Sequence, residues 1–201
     1  LFYLIWLCGC KLVKGAAGGK FYQHKKKNQE IQDIITGVLP EIKAEEVVIY
    51  TIDEVHLLEG DLISHLWGKT DKRLKLPLLN PKNRQTYYGA LNLINPELIT
   101  GEYKQGNGDC TVDFLKKLIK INPRKRIIIF WDGASYHRGE LMQSFLAEVN
   151  EGLAPENWKI TCHLFAPYAP EENPIEAIWQ WYLCFQQMIF YAVVAHQTRF
   201  A

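Results

Sequence analysis

At 201 residues, with 48% hydrophobic and 22% charged residues, the chain is long enough to bury one sizeable core and carry an appendage. Lys and Arg number 23 against 22 Asp and Glu, a net charge of +1, which excludes a global field for gathering nucleic acid and leaves DNA contact to local basic clusters. The five cysteines (Cys8, Cys10, Cys110, Cys162, Cys184) are odd in number and lack the paired spacing of a zinc site, which fits a reducing cytosol.

Leu1 to Gly9 is apolar but far shorter than the ~20 residues needed to span a bilayer. It has no basic leading segment, so it does not read as a signal peptide. The methionines are Met142 and Met188, and the chain reads as a fragment, a processed form or a remnant. Basic residues cluster at Lys11, Lys14, Lys20 and Lys25 to Lys27, again at Lys69 to Lys75, and from Lys116 to Arg126. Each cluster is either a phosphate-contacting patch or a solvated face. From Gln29, the apolar positions Ile31, Ile34, Ile35 and Val38 fall at helical spacing, and Pro40 is expected to end that helix. Residues 1 to 45 thus read as a linker and helical appendage, and residues 46 to 201 as the main domain.

Val47 to Asp53 is a β-branched and aromatic run of strand length, nearly continuous in apolar character, so it reads as a strand buried on both faces with Asp53 near its end. Further strands are expected at Leu62 to Trp67 and Thr86 to Ile94, with Leu98 and Ile99 returning after a turn at Asn95-Pro96. Gly101 to Asp109 reads as a loop. A helix capped by Thr111 follows, with Phe114, Leu115, Leu118 and Ile119 as its apolar stripe and Asn122-Pro123 as its stop. Arg126 to Gly133 contains the clearest buried strand, delivering Asp132 at its C-terminal end. Leu141 to Val149 reads as a helix, Ile160 to Phe165 as a strand, and Pro174 onward as a final helix. Its apolar continuation, Ala177 to Ala195, is interrupted by Gln180, Gln186 and Gln187 and reads as an amphipathic or buried helix, not a membrane span. The order is α/β with an antiparallel start.

Asp53, Asp132 and Glu176 all stand where regular structure is expected to end. Unpaired carboxylates at the ends of buried strands are costly, and a divalent cation removes that cost. Adjacent strands lie about 4.8 Å apart, so Asp53 and Asp132 on neighbouring strands would reach one ion. Glu176 follows Asn173 as N-cap and Pro174 as first helical residue. The helix start favours its ionised form, although an acid at that position also serves a capping box. Glu54 points to the opposite face from Asp53, so the two would not ligate together.

Three segments resemble the signature blocks of DDE-superfamily transposases: Ile52-Asp53-Glu54-Val55-His56, Trp131-Asp132-Gly133-Ala134-Ser135-Tyr136-His137, and Ala166 to Trp179 with its Asn173-Pro174-Ile175-Glu176 core. The chain is most similar to the insertion-sequence branch related to mariner elements, the insertion sequence six-thirty family, over residues 45 to 182. Two departures stand out: Gly133 replaces the usual Asn, and Asp132 and Glu176 lie 44 positions apart, longer than usual, with the excess expected in Asn150 to Trp158.

The resemblance implies a ribonuclease H-like mixed sheet, three antiparallel strands followed by alternating helices and strands, flanked by helices. It implies an endonuclease and transposase that cleaves DNA and transfers strands at the ends of a mobile element. Asp53, Asp132 and Glu176 would be both catalytic and metal-binding, holding two Mg²⁺ (or Mn²⁺) ions. The partners it implies are double-stranded DNA, both transposon ends and target, and a second copy of the chain, in a bacterial, nucleoid-associated cytoplasm. His137 and Asn173 are expected beside the site; His56 is more readily structural, and Trp131, Trp179 and Trp181 read as core. The alternatives are a catalytically inactive or truncated remnant that only binds DNA, and another ribonuclease H-like nuclease or integrase.

Overall fold

The computed structural model describes residues 18–58, 84–166 and 173–182. The strand expected at Leu62 to Trp67 lies outside them, as do Leu1 to Gly9, the Lys69 to Lys75 cluster and most of the apolar C-terminal tail.

Helix α1 (Gly18–Gly37) leads into the short α2 (Leu39–Lys43). As expected, α1 stops ahead of Pro40. Pro40 itself sits in the first turn of α2, where a missing N–H leaves no hydrogen bond unmade. Ile31, Ile34, Ile35 and Val38 form the expected stripe and, joined by Ile42 of α2, cover Val47, Ile49, Ile128 and Phe130 on one face of the sheet.

Five strands follow: β1 (Val47–Leu58), β2 (Arg84–Asn92), β3 (Leu98–Tyr103), β4 (Arg126–Trp131) and β5 (Ile160–Leu164). They lie in the order β3-β2-β1-β4-β5. β1, β2 and β3 pair antiparallel, while β4 and β5 run parallel to β1. This is the mixed sheet expected of a ribonuclease H-like core. Several boundaries shift by one or two residues, β2 among them, and two differ more. β3 is a full strand that takes in Gly101 to Tyr103, residues whose composition suggests a loop. β1 continues five residues past Asp53, because β2 goes on supplying hydrogen-bond partners as far as Leu58.

Helices α3 (Gly108–Ile121) and α4 (Glu140–Val149) cover the opposite face. The cap of α3 is Asn107, whose side chain accepts from the Cys110 N–H at 2.9 Å, not Thr111. Thr111 lies buried in the first turn, donating to the Asn107 carbonyl and meeting the Tyr88 hydroxyl. Phe114, Leu115 and Leu118 pack with Tyr50, Ile52, Tyr88, Ile127 and Ile129 to form the larger core. Residues 174–182 form the last described helix, α5.

The stretch between Asp132 and Glu176 includes an exposed segment after α4. Residues 151–158 are exposed, and the segment is pinned at its base by Asn150, whose amide donates to the Ile160 carbonyl at 2.9 Å and accepts from the Ile160 N–H at 3.1 Å. No helix among the described residues is long and apolar enough to cross a membrane.

Candidate active site

Strand register decides which acids meet. β1 and β4 pair in parallel, Val47 with Arg126 through Thr51 with Phe130. Continued by two residues, that register sets Asp53 opposite Asp132, just where β4 ends and β1 runs on paired with β2 alone. The two carboxylates thus occupy matching positions on adjacent strands, about one inter-strand spacing of 4.8 Å apart at the backbone.

Asp53 belongs to the face that carries Val47, Ile49, Thr51 and Val55. Val55 packs there with Ile175 and Trp179 of α5, so Asp53 lies between two apolar clusters and below the helix that carries Glu176. Gly89 makes this seating close: it pairs with Asp53 across β1 and β2. A Cβ at Gly89 would stand only 2.4 Å from the Trp179 ring and 2.8 Å from the Ile175 side chain. Asn173 begins the helix, its side-chain oxygen accepting from the Ile175 N–H at 3.4 Å and its carbonyl from the Glu176 N–H at 3.1 Å.

The electrostatics follow this packing. Burial, the neighbouring Glu54 and the charges of Glu176 and Asp132 together push the Asp53 carboxyl up to about 7. Asp132 is more exposed and is held below the usual carboxylate range by hydrogen bonds from His137 and from the Ala134 N–H at 3.0 Å. Three carboxylates therefore share one electrostatic neighbourhood. They do not, as placed, close tightly: no group of three His, Cys, Asp or Glu side chains able to hold a metal ion is formed among the described residues. The donor chemistry nevertheless suits a hard divalent cation, being oxygen only. A carboxyl that retains its proton to about pH 7 beside two other acids is also a group whose ionised form a cation would stabilise.

Glu54 is on the other face, as expected, but it is not idle. Its side chain is 5% exposed and accepts from the Tyr136 hydroxyl at 3.1 Å and from His137 Nε2 at 3.4 Å. His137, 1% exposed, also reaches Asp132 Oδ1 through Nδ1 at 3.1 Å, and its ring stacks on Trp131 at 4.1 Å and 3°. Burial opposes charge on this imidazole, but the two carboxylates outweigh it and raise His137 to about 9. Sequence alone does not mark Glu54 and Tyr136 as partners; the pattern that points to His137 carries no sign of what it meets 83 residues away. His56 lies elsewhere, against Thr86 at 3.0 Å and Gly106. Trp131 and Trp179 are buried as expected, whereas Trp181 is 67% exposed. Its place on α5 turns it away from the cluster that Ile175 and Trp179 fill. Gly133 leaves room: a Cβ there meets nothing within 4 Å.

A family model described as DDE superfamily endonuclease matches residues 48–183, a span holding all three acids. Among solved structures, the fold is similar to that of the Mos1 transposase paired-end complex with left transposon end, with a TM-score of 0.50 and 13% identity, covering 83% of this chain and 48% of that one. The Mos1 strand transfer complex aligns with a TM-score of 0.47 and 12% identity over 81% of this chain and 46% of that one. The HTLV-2 integrase catalytic core domain in complex with magnesium, in its dimeric form, aligns with a TM-score of 0.39 and 10% identity over 60% of this chain and 61% of that one. The chain thus spans about half the length of the Mos1 transposase chains it matches. No curated protein matches its sequence.

Proposed function

The chain belongs to the DDE superfamily endonuclease family, and from that premise we propose that it forms the catalytic core of a transposase of the insertion sequence six-thirty branch. In this reading it cleaves DNA at the ends of a mobile element and transfers the freed strand to a target, with double-stranded DNA and a second copy of the chain as partners, in a bacterial cytoplasm. Residues 46 to 201 would be the catalytic domain and residues 1 to 45 the end of a DNA-binding region.

The observation that carries the reading is the β1 and β4 register that sets Asp53 opposite Asp132, with Glu176 close enough to raise the Asp53 carboxyl. Asp53, Asp132 and Glu176 would hold two Mg²⁺ or Mn²⁺ ions. When bound, such ions activate a water or a DNA 3′-hydroxyl for in-line attack and stabilise the leaving oxygen. The chain's own residues prepare the place. Asp132 is ionised and ready to ligate, because His137 and the Ala134 N–H hold its negative charge. Asp53 would supply the second carboxylate from a partly buried position on the face of β1 that carries two apolar clusters, where electrostatic interactions are stronger than in open water. Glu176 is delivered by a helix seated on Gly89 through Ile175 and Trp179. No nucleophilic side chain is required.

The test is Mg²⁺-dependent nicking of a duplex carrying the element's terminal repeat, compared between wild type and Asp132→Ala. Loss of a metal-ligating carboxylate is expected to lower the rate by about 100-fold or more. Equal rates in both proteins would remove Asp132 from the mechanism.

A further inference from the structure

The acid beside Asp53 has a side chain only 5% exposed and is not a candidate ligand, so its place in the core has to be accounted for physically. Glu54 continues the face of β1 that carries Tyr50 and Ile52 into the main core, where a lone carboxylate would be strongly destabilising. What compensates it is specific: the Tyr136 hydroxyl at 3.1 Å on one oxygen and His137 Nε2 at 3.4 Å on the other. The other nitrogen of the same ring meets Asp132 at Oδ1, 3.1 Å, and at its backbone carbonyl, 3.2 Å. Both ring nitrogens thus face oxygen atoms of the two acids. Trp131, the residue immediately before Asp132, lies flat on the ring at 4.1 Å, which fixes its plane. The imidazole is thereby held at both nitrogens and on one face, while the carboxylate it touches is 59% exposed.

We infer that Glu54 and His137 are positioning residues for Asp132: Glu54 anchors the imidazole from the core side, and the imidazole sets the orientation of the exposed Asp132 carboxylate for metal binding. This rests on the reading of Asp132 as a metal ligand. Neither residue touches the metal or the DNA in this role. The arrangement is a carboxylate, a histidine and a metal-ligating carboxylate in series, in which the partners of a ligand decide where its lone pairs point. Disturbing such partners costs metal affinity even though the ligands remain.

Two conservative replacements separate this role from a packing role. The amide nitrogen of Asn overlays Nδ1 of histidine, and that of Gln overlays Nε2. His137→Asn therefore keeps a donor for Asp132 and loses the anchor to Glu54, while His137→Gln keeps the donor to Glu54 and loses contact with Asp132. Mn²⁺ is titrated into the full chain, with free Mn²⁺ read by electron paramagnetic resonance, and thermal unfolding is recorded without metal. His137→Gln is expected to weaken Mn²⁺ binding by about 10- to 100-fold, as does loss of a ligand's supporting partner. His137→Asn is expected to bind several-fold more tightly than His137→Gln although it is the less stable protein, since it gives up the Glu54 contact and much of the stack on Trp131. Glu54→Gln, which is isosteric, is expected to weaken binding by about 10-fold and keeps the test decisive should a His137 variant fail to fold.

Mn²⁺ affinity that follows stability, with Asn the weaker binder, overturns the inference. So does wild-type affinity in Glu54→Gln. Asp132→Asn distinguishes the two levels. If it loses Mn²⁺ while the Glu54 and His137 variants bind as wild type, only the positioning role falls. If it too binds as wild type, the metal reading of the site fails and the positioning role with it.

Discussion

Asp53 keeps its proton to about pH 7 because it is buried and has Glu54, Glu176 and Asp132 for neighbours. The folded chain therefore binds that proton more tightly than the unfolded chain, so its contribution to stability is complete below about pH 4 and is lost as pH rises through 7. His137, raised to about 9, contributes stability that is complete below about pH 6.5 and is lost as pH rises through 9. Asp132, held low, works in the opposite direction and loses its contribution only under acid. Without divalent metal, urea unfolding is thus expected to show stability falling from pH 4 to pH 9. Asp53→Asn should flatten the lower half of that fall and leave the variant more stable than wild type at pH 8, by on the order of 1–3 kcal/mol. Added Mn²⁺ should reverse the ranking, since it stabilises only the protein that binds it. An unchanged pH slope in the variant would show that Asp53 is not the titrating group. Gly133 allows a further check: with open space around its α-carbon, Gly133→Asn should fold as wild type and nick DNA at least as fast, measured by melting and by plasmid cleavage.

At the level of elements, α5 is the critical piece, because it brings Glu176 to strands that belong to a different part of the sequence. Its seat is Gly89, where any side chain would collide with Trp179 and Ile175. Gly89→Ala should cost about 1–3 kcal/mol by overpacking and depress cleavage further than stability alone explains, by displacing Glu176. Asn173→Ala should cost about 1 kcal/mol as a lost cap. Comparing cleavage rates at matched folded fraction checks both. The elements that build the site were largely legible in sequence, since a continuous β-branched run of strand length, as in β1 and β4, suits a strand buried on both faces. The ends were less so. Asp53-Glu54 looks like the polar edge of a strand, yet β2 carries β1 onward to Leu58. Thr111 is also an acceptable cap residue, though weaker than Asn, and the observed hydrogen bond identifies Asn107. Pro40 stops one helix or starts another with equal logic. The contacts of Glu54, His137 and Tyr136 depend on a β1 strand and a turn after β4 meeting in space, which no local pattern records.

For the whole molecule, the sheet order sets Asp53, midway along β1, beside Asp132 at the C-terminal end of β4, while residues 151–158 are exposed to solvent. Replacing Glu151 to Asn157 with a short turn should therefore leave the melting temperature and the cleavage rate near wild type, because loop-closure entropy changes only slowly with length; a collapse of either would assign that loop a role in the core. The proposed chemistry depends above all on where a cation binds. Crystals of the chain soaked in Mn²⁺ and measured at the manganese absorption edge locate it directly. Anomalous density is expected between Asp53 and Asp132, within about 2.2 Å of their carboxylate oxygens as hard-cation coordination requires, with Glu176 completing the set. Density elsewhere, or none at saturating Mn²⁺, would contradict the assignment of these three acids as the metal site.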